Sequence, residues 1–323
     1  HPQYPARPAR WNRPLRGMRR NCHRTGILRE SLLNRFFLRF VPAEKRRARN
    51  ETTMPAVSLP RLKEQIAQLV PVFDQPEVLH KQVCALFDLY ADRPYRAGQA
   101  VHPRPLIQTY HVPPLVQHTL EQELGRVARE KPAAALAAAE RLWRKKTLEP
   151  RLLAAAILGQ GPAPPPEPVL ERLLSWANPE IDPQVLGMLM NQGSASLRRE
   201  QPNRWLALVE HWLDSRSAAM QSVGLKSLLP LVQDRSFANL PRIYRILDPL
   251  VQTAPNTLLP DLQRNLEVLA RRSPAETAYF LRQMLSLSEN SGTVRLVRRV
   301  LPVFPEEQQA SLRKALLTRP GER

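Results

Sequence analysis

The chain has 323 residues, 43% of them apolar, and a net charge of +19, enough apolar material for a continuous core in one or two domains. Its two cysteines, Cys22 and Cys84, are too few and too far apart for a disulfide framework or a four-ligand zinc site, so a reducing cytoplasm is the expected compartment. No run of about 20 uncharged apolar residues occurs, so no bilayer-spanning helix is expected.

The charge is unevenly placed. Residues 1–53 contain 14 Lys and Arg against 3 Asp and Glu, a net of +11, which leaves +8 for the remainder. This first segment is rich in Arg and Pro and lacks an initiating Met. Three readings fit it: a basic nucleic-acid-binding arm, an amphipathic organellar transit segment, or translated sequence upstream of a start at Met54. The last is favoured, because an ordinary helical pattern begins directly after Met54-Pro55-Ala56. A domain of residues 54–323 is therefore expected, with residues 1–53 outside it. A net of +8 on the domain suits a polyanionic partner, since Lys and Arg gain affinity by releasing phosphate counterions.

From Met54 onward apolar residues recur at helical spacing, as in Leu62, Ile66, Leu69 and Val70, and later Leu262, Leu266 and Leu269. Helix starts are punctuated by Pro, whose missing N–H costs nothing in a first turn. Lys131-Pro132, Glu149-Pro150, Asp182-Pro183, Gln201-Pro202 and Ser273-Pro274 are such starts. Ser273-Pro274-Ala275-Glu276 also predicts a capping box, with Ser273 accepting from the N3 amide and Glu276 reaching back. The predicted helices run over 59–70, 77–91, 115–130, 132–146, 150–159, 168–177, 183–192, 202–213, 216–232, 240–251, 257–271, 274–287, 291–300 and 305–317. Residues 93–114 and 161–168 are too rich in Pro for helix and are expected as exposed connections.

Trp143, Trp176 and Trp212 fall 33 and 36 residues apart, near the length of one helix pair. Divergent pairs of this kind need only apolar faces that their neighbours cover. The expected fold is all-α, a right-handed solenoid of HEAT-like helix pairs.

Residues 140–160, Glu-Arg-Leu-Trp-Arg-Lys-Lys-Thr-Leu-Glu-Pro-Arg-Leu-Leu-Ala-Ala-Ala-Ile-Leu-Gly-Gln, resemble a recurrent segment of the DNA alkylation repair (AlkD-like) family. There a Leu-Trp is followed six residues on by Glu and then by an Ala/Leu-rich helix, matched by Leu142-Trp143, Glu149 and Ala154 to Ala156. Ser175-Trp176 and His211-Trp212-Leu213-Asp214-Ser215 resemble its other Trp-containing segments. The resemblance implies a basic concave face for duplex DNA and, in active members, excision of N-alkylated purines by a DNA glycosylase.

Active members use a Trp, an Asp four residues on, an Arg in the next repeat and a further Trp beyond. An aromatic face and a carboxylate can stabilise a cationic sugar and base as the glycosidic bond breaks. By this resemblance the catalytic candidates are Trp176 and Glu180, with Asp182 as the alternative carboxylate. The Arg position falls on Ser222, with Lys226 one turn beyond, and the last Trp on or near Val268. With those two roles vacant, the resemblance implies a DNA-binding protein with an incomplete catalytic set.

The residues also support plainer readings. Trp143, Trp205 and Trp212 sit in register with apolar neighbours and are expected in the core, whereas pocket and core suit Trp176 equally. Candidate DNA contacts are Arg144, Lys145, Lys146 and Arg151 near one helix junction, and Arg264, Arg271, Arg272, Arg295, Arg298 and Arg299 on the C-terminal helices. Cations near helix ends also stabilise the helix dipole. His102, His111 and His118 lack metal-site spacing, so no metal or cofactor is expected. The expected partner is duplex DNA, alkylated or otherwise damaged, bound by a monomer. A protein-interaction scaffold of the same architecture is the competing reading.

Overall fold

The structure is a computed structural model describing residues 57–92, 106–161, 165–288 and 290–318. These all lie in one unit, Thr53–Arg323, and the expectations for residues 1–53 lie outside the described residues. The fold is all-α, with no strand among the described residues. No helix among them is long and apolar enough to cross a membrane.

The elements follow the Pro punctuation. They are α1 (Leu59–Ala67), α2 (Pro76–Tyr90), α3 (Pro114–Glu130), α4 (Pro132–Trp143), α5 (Leu148–Leu158), α6 (Glu167–Trp176), α7 (Pro183–Met188), α8 (Ala195–Glu200), α9 (Pro202–Leu213), α10 (Ala218–Gln233), α11 (Leu240–Thr253), α12 (Leu259–Arg272), α13 (Pro274–Leu287), α14 (Ser291–Val300) and α15 (Glu306–Leu317). Each buries one stripe, as α14 does with Leu296, Val297 and Val300 beneath an exposed Arg295 and Arg299. The exception is α5, buried from Leu153 to Leu158, whose small alanines let neighbours approach from every side.

Helices pack on their next-but-one neighbours as well as on adjacent ones: α3 on α5, α10 on α12, α12 on α14, α11 on α13 and α13 on α15. Hydrogen bonds set the register between them. Asn265 on α12 donates to the Leu225 carbonyl on α10 at 2.9 Å. The Tyr244 hydroxyl on α11 meets Thr277 Oγ1 on α13 at 2.9 Å.

Short helices leave many terminal carbonyls unmet, and arginines from later helices cover several. Arg272 donates to the carbonyls of Val232, Asp234, Arg235 and Phe237 at the end of α10. Arg198 donates to Met190 O and Asn191 O, and its burial lowers its pKa to about 10. Arg151 donates through Nε to Trp143 O at 3.2 Å.

The structure departs from the sequence reading in three places. The helix expected over 183–192 widens at its end into a π-helical turn, Leu189–Gly193, followed by the unforeseen α8. Ser194 Oγ and Arg198 both bond to Met190 O, which removes the need for regular helix continuation there. α13 begins at Pro274 as expected, but Ser273 makes no side-chain cap and the capping box does not form. Its carbonyl instead receives Thr277 N and Thr277 Oγ1, while its hydroxyl is turned toward Tyr244. Finally, residues 106–112 are not a solvated connection but a partly buried strap.

Gly159 ends α5 against the π turn, where a Cβ would stand 1.7 Å from the Gln192 carbonyl oxygen. Backbone cannot yield as a flexible side chain does. Gly159→Ala is expected to lower unfolding free energy by about 1–3 kcal/mol, read as an earlier urea midpoint. An unchanged midpoint would show that α5 and the turn are not held this closely.

Candidate functional site

The site region is built where the α4–α5 junction meets the end of α6 and the start of α7. Trp143 closes α4 and Trp176 closes α6. Their rings stack with centroids 4.2 Å apart and planes 7° from parallel. Arg151 lies over the Trp143 ring at 5.1 Å, and burial lowers its pKa. Trp176 is 5% exposed, so its aromatic face serves this stack. The core reading for Trp205 and Trp212 holds: both are buried, meeting edge-on at 5.9 Å.

The strap crosses the N-terminal ends of α7 and α5 and is held by two buried carboxylates. Asp182 caps α7, with Oδ1 accepting from Gln184 N at 2.8 Å and Val185 N at 3.4 Å. Its Oδ2 accepts from Leu106 N at 2.7 Å. Glu149, in the first turn of α5, accepts from Thr109 Oγ1 at 2.5 Å, Tyr110 N at 3.0 Å and His111 N at 2.8 Å. Leu148 N in turn donates to Gln108 O at 2.8 Å. His111 adopts φ +55°, an unusual backbone state for a non-glycine residue, while its amide reaches Glu149. Tyr110 packs on Phe87 at 5.6 Å, and burial raises its pKa.

The catalytic candidates therefore separate. Trp176 and Asp182 are buried and engaged with other groups, whereas Glu180 is exposed on the turn between α6 and α7. Ser222, where the resemblance puts the Arg, donates to Asp261 Oδ2 on α12. Lys226 is exposed, and Val268 is half-buried against the core.

The cation candidates divide in the same way. Lys145 and Lys146 are exposed, as are Arg264, Arg295, Arg298 and Arg299. Arg144 lies 3.9 Å from Glu140 and Arg271 3.6 Å from Glu267, both surface pairs. The guanidinium of Arg272 is engaged by four carbonyls and that of Arg151 by Trp143. Arg126 and Arg129, exposed on α3 at i, i+3 spacing, are engaged by Glu123 and Gln160. His118 is exposed beside Gln122, and His102 lies outside the described residues. No metal-holding group of His, Cys, Asp and Glu occurs among the described residues. A separate groove of about 910 Å³ between α9, α10 and α11 contains none of the sequence-predicted candidates.

The profile of the DNA alkylation repair enzyme family matches residues 117–286, more than half of the chain. The chain belongs to that family. No curated protein and no solved structure matches it. The region matched by the DNA alkylation repair family contains Trp176, Asp182, Ser222 and Val268. The strap and the α14 arginines lie outside it.

The family assignment leaves the carboxylates to be judged by their surroundings. Asp182→Asn replaces an acceptor-only group with one that turns an NH2 toward a backbone N–H in a buried setting. It is expected to lower unfolding free energy by about 2–4 kcal/mol, whereas Glu180→Gln should stay within about 0.5 kcal/mol of the parent. Chemical denaturation of both variants checks this, and equal effects would contradict the assignment of Asp182 to the strap.

Proposed function

We propose that this protein is a duplex-DNA-binding member of the alkylation repair family that binds without excising bases, acting as a monomer. In this reading its helix pairs form a right-handed HEAT-like solenoid whose basic face follows the phosphate backbone. The next-but-one packing of α10 on α12 and α12 on α14 supports the architecture.

The observation that carries the binding reading is the set of exposed cations on α12 and α14. Arg264 and Arg271 on α12, and Arg295, Arg298 and Arg299 on α14, stand on helices whose apolar stripes are buried. Lys145 and Lys146 extend the set at the α4–α5 junction. Such contacts fix register on a duplex and carry no sequence information.

Absence of catalysis is supported by chemistry. A carboxylate that is to face a developing cation must be reachable, and Asp182 is 1% exposed with three backbone donors on it. Ser222 and Val268 supply neither the guanidinium nor the second aromatic of the active pattern. Glu180 stays exposed, so it is the residue through which any remaining excision would run.

Duplex binding measured by fluorescence anisotropy at 50 and 200 mM salt should show a steep loss of affinity. Arg295→Gln combined with Arg299→Gln should reduce the slope of log K against log salt by about 1.8, at about 0.9 per phosphate contact. A wild-type chain that retains no duplex at low salt would end the binding reading. Incubation with alkylated DNA should release neither 7-methylguanine nor 3-methyladenine. Release that disappears in Glu180→Gln would instead make the protein a glycosylase.

A further inference from the structure

Between the strap and the α4–α5 junction lies an open cleft of about 460 Å³, lined by residues 107–111 together with Lys145 and Thr147. Thr147 is the N-cap residue of α5, a position where a hydroxyl normally accepts from the second or third amide of the helix. Here it makes no cap. The third position is Pro150, which has no amide hydrogen, so one of the two ordinary partners is missing from the sequence itself and the other, Glu149 N, is left unused by the hydroxyl. Thr147 is 6% exposed, and its Oγ1 is buried with no hydrogen-bond partner. An idle buried hydroxyl is uncommon in a native fold, and its presence calls for a reason.

The charges around the cleft suggest one. Lys145 is exposed at its edge, with Arg144 and Lys146 on either side in the chain. The α5 N-terminus adds the positive end of a helix dipole. The carboxylate of Glu149 faces the strap and is covered by Thr109 Oγ1, Tyr110 N and His111 N.

We propose that this cleft is a phosphate-binding site in which Lys145 supplies the cation and Thr147 the hydroxyl donor for one phosphodiester of a bound DNA strand. The assignment rests on the duplex-binding reading above and gives it a defined contact away from α12 and α14. The cleft is larger than a phosphate group alone and leaves room for the attached sugar. Thr147 keeps its hydroxyl because ligand, not fold, is its partner.

The test uses the full chain, duplex DNA and anisotropy across a salt series, with Lys145→Gln and Thr147→Val. Lys145→Gln should weaken binding and lower the salt slope by about 0.9, the value for one lost phosphate contact. Thr147→Val is nearly isosteric and removes only the hydroxyl. It should weaken binding roughly 5- to 10-fold with an unchanged slope, while its melting temperature equals or exceeds that of the parent. A markedly lower melting temperature would make the hydroxyl structural and overturn the proposal. If wild type binds duplex and both variants bind equally well, the cleft assignment falls and the duplex reading stands. If wild type binds no duplex, both fall. Inorganic phosphate and deoxyguanosine monophosphate serve as competitors. A nucleotide that binds in a Thr147-dependent manner without displacing DNA would assign the cleft to free nucleotide and overturn the DNA contact.

Discussion

Short helices expose many unpaired backbone groups at their ends, and the way these are satisfied across helix pairs is the constraint on which the structure depends. A helix of three or four turns has nearly as many terminal amides and carbonyls as internal hydrogen bonds. In this fold the partners come from other elements of the chain. Asp182 and Glu149 serve the amides of the strap, and Asp182 also caps α7. Arg198 and Arg272 serve carbonyls left by the π turn and by α10. Because the strap and Arg272 bonds join segments that lie far apart in the sequence, closing those helix ends also fixes how the helices sit.

That arrangement changes the meaning of the positive charge. Arginine has a planar fork able to cover several carbonyls at once, and Arg272 uses it fully. Part of the basic composition is therefore internal and cannot contact a phosphate without opening the end of α10. The arginines of α14 are different, because the whole buried stripe of that helix lies on its other face. Counting cations overstates the exposed positive surface, and burial separates the two groups.

The same logic bears on chemistry at the Trp143–Trp176 stack. The stretch matched by the alkylation repair family contains Trp176 and, six residues on, the carboxylate Asp182. The tryptophan is closed by a second aromatic ring and the buried carboxylate by the strap. Two groups suited to stabilising a cation are thus turned to holding helix ends together. In this structure both groups take structural roles.

Helix positions were legible from the sequence because their causes are local. Pro at a first turn and apolar spacing of three and four residues act within one helix, so the starts of α4, α9 and α13 fall where the punctuation puts them. The resemblance at Leu142-Trp143 and Glu149 was legible for the same reason, being contiguous. What could not be read was anything settled by partners far along the chain. Ser273-Pro274-Ala275-Glu276 carries every local mark of a capping box, yet Thr277 and Tyr244 decide where Ser273 is used. The strap looked like a proline-rich connection because the carboxylates that hold it lie 38–40 and 76 residues away. The sequence by itself determined the helices and the family. Only the tertiary structure decided which Trp, Asp and Arg side chains face a partner, because burial and hydrogen bonding are shared between residues that no local pattern brings together.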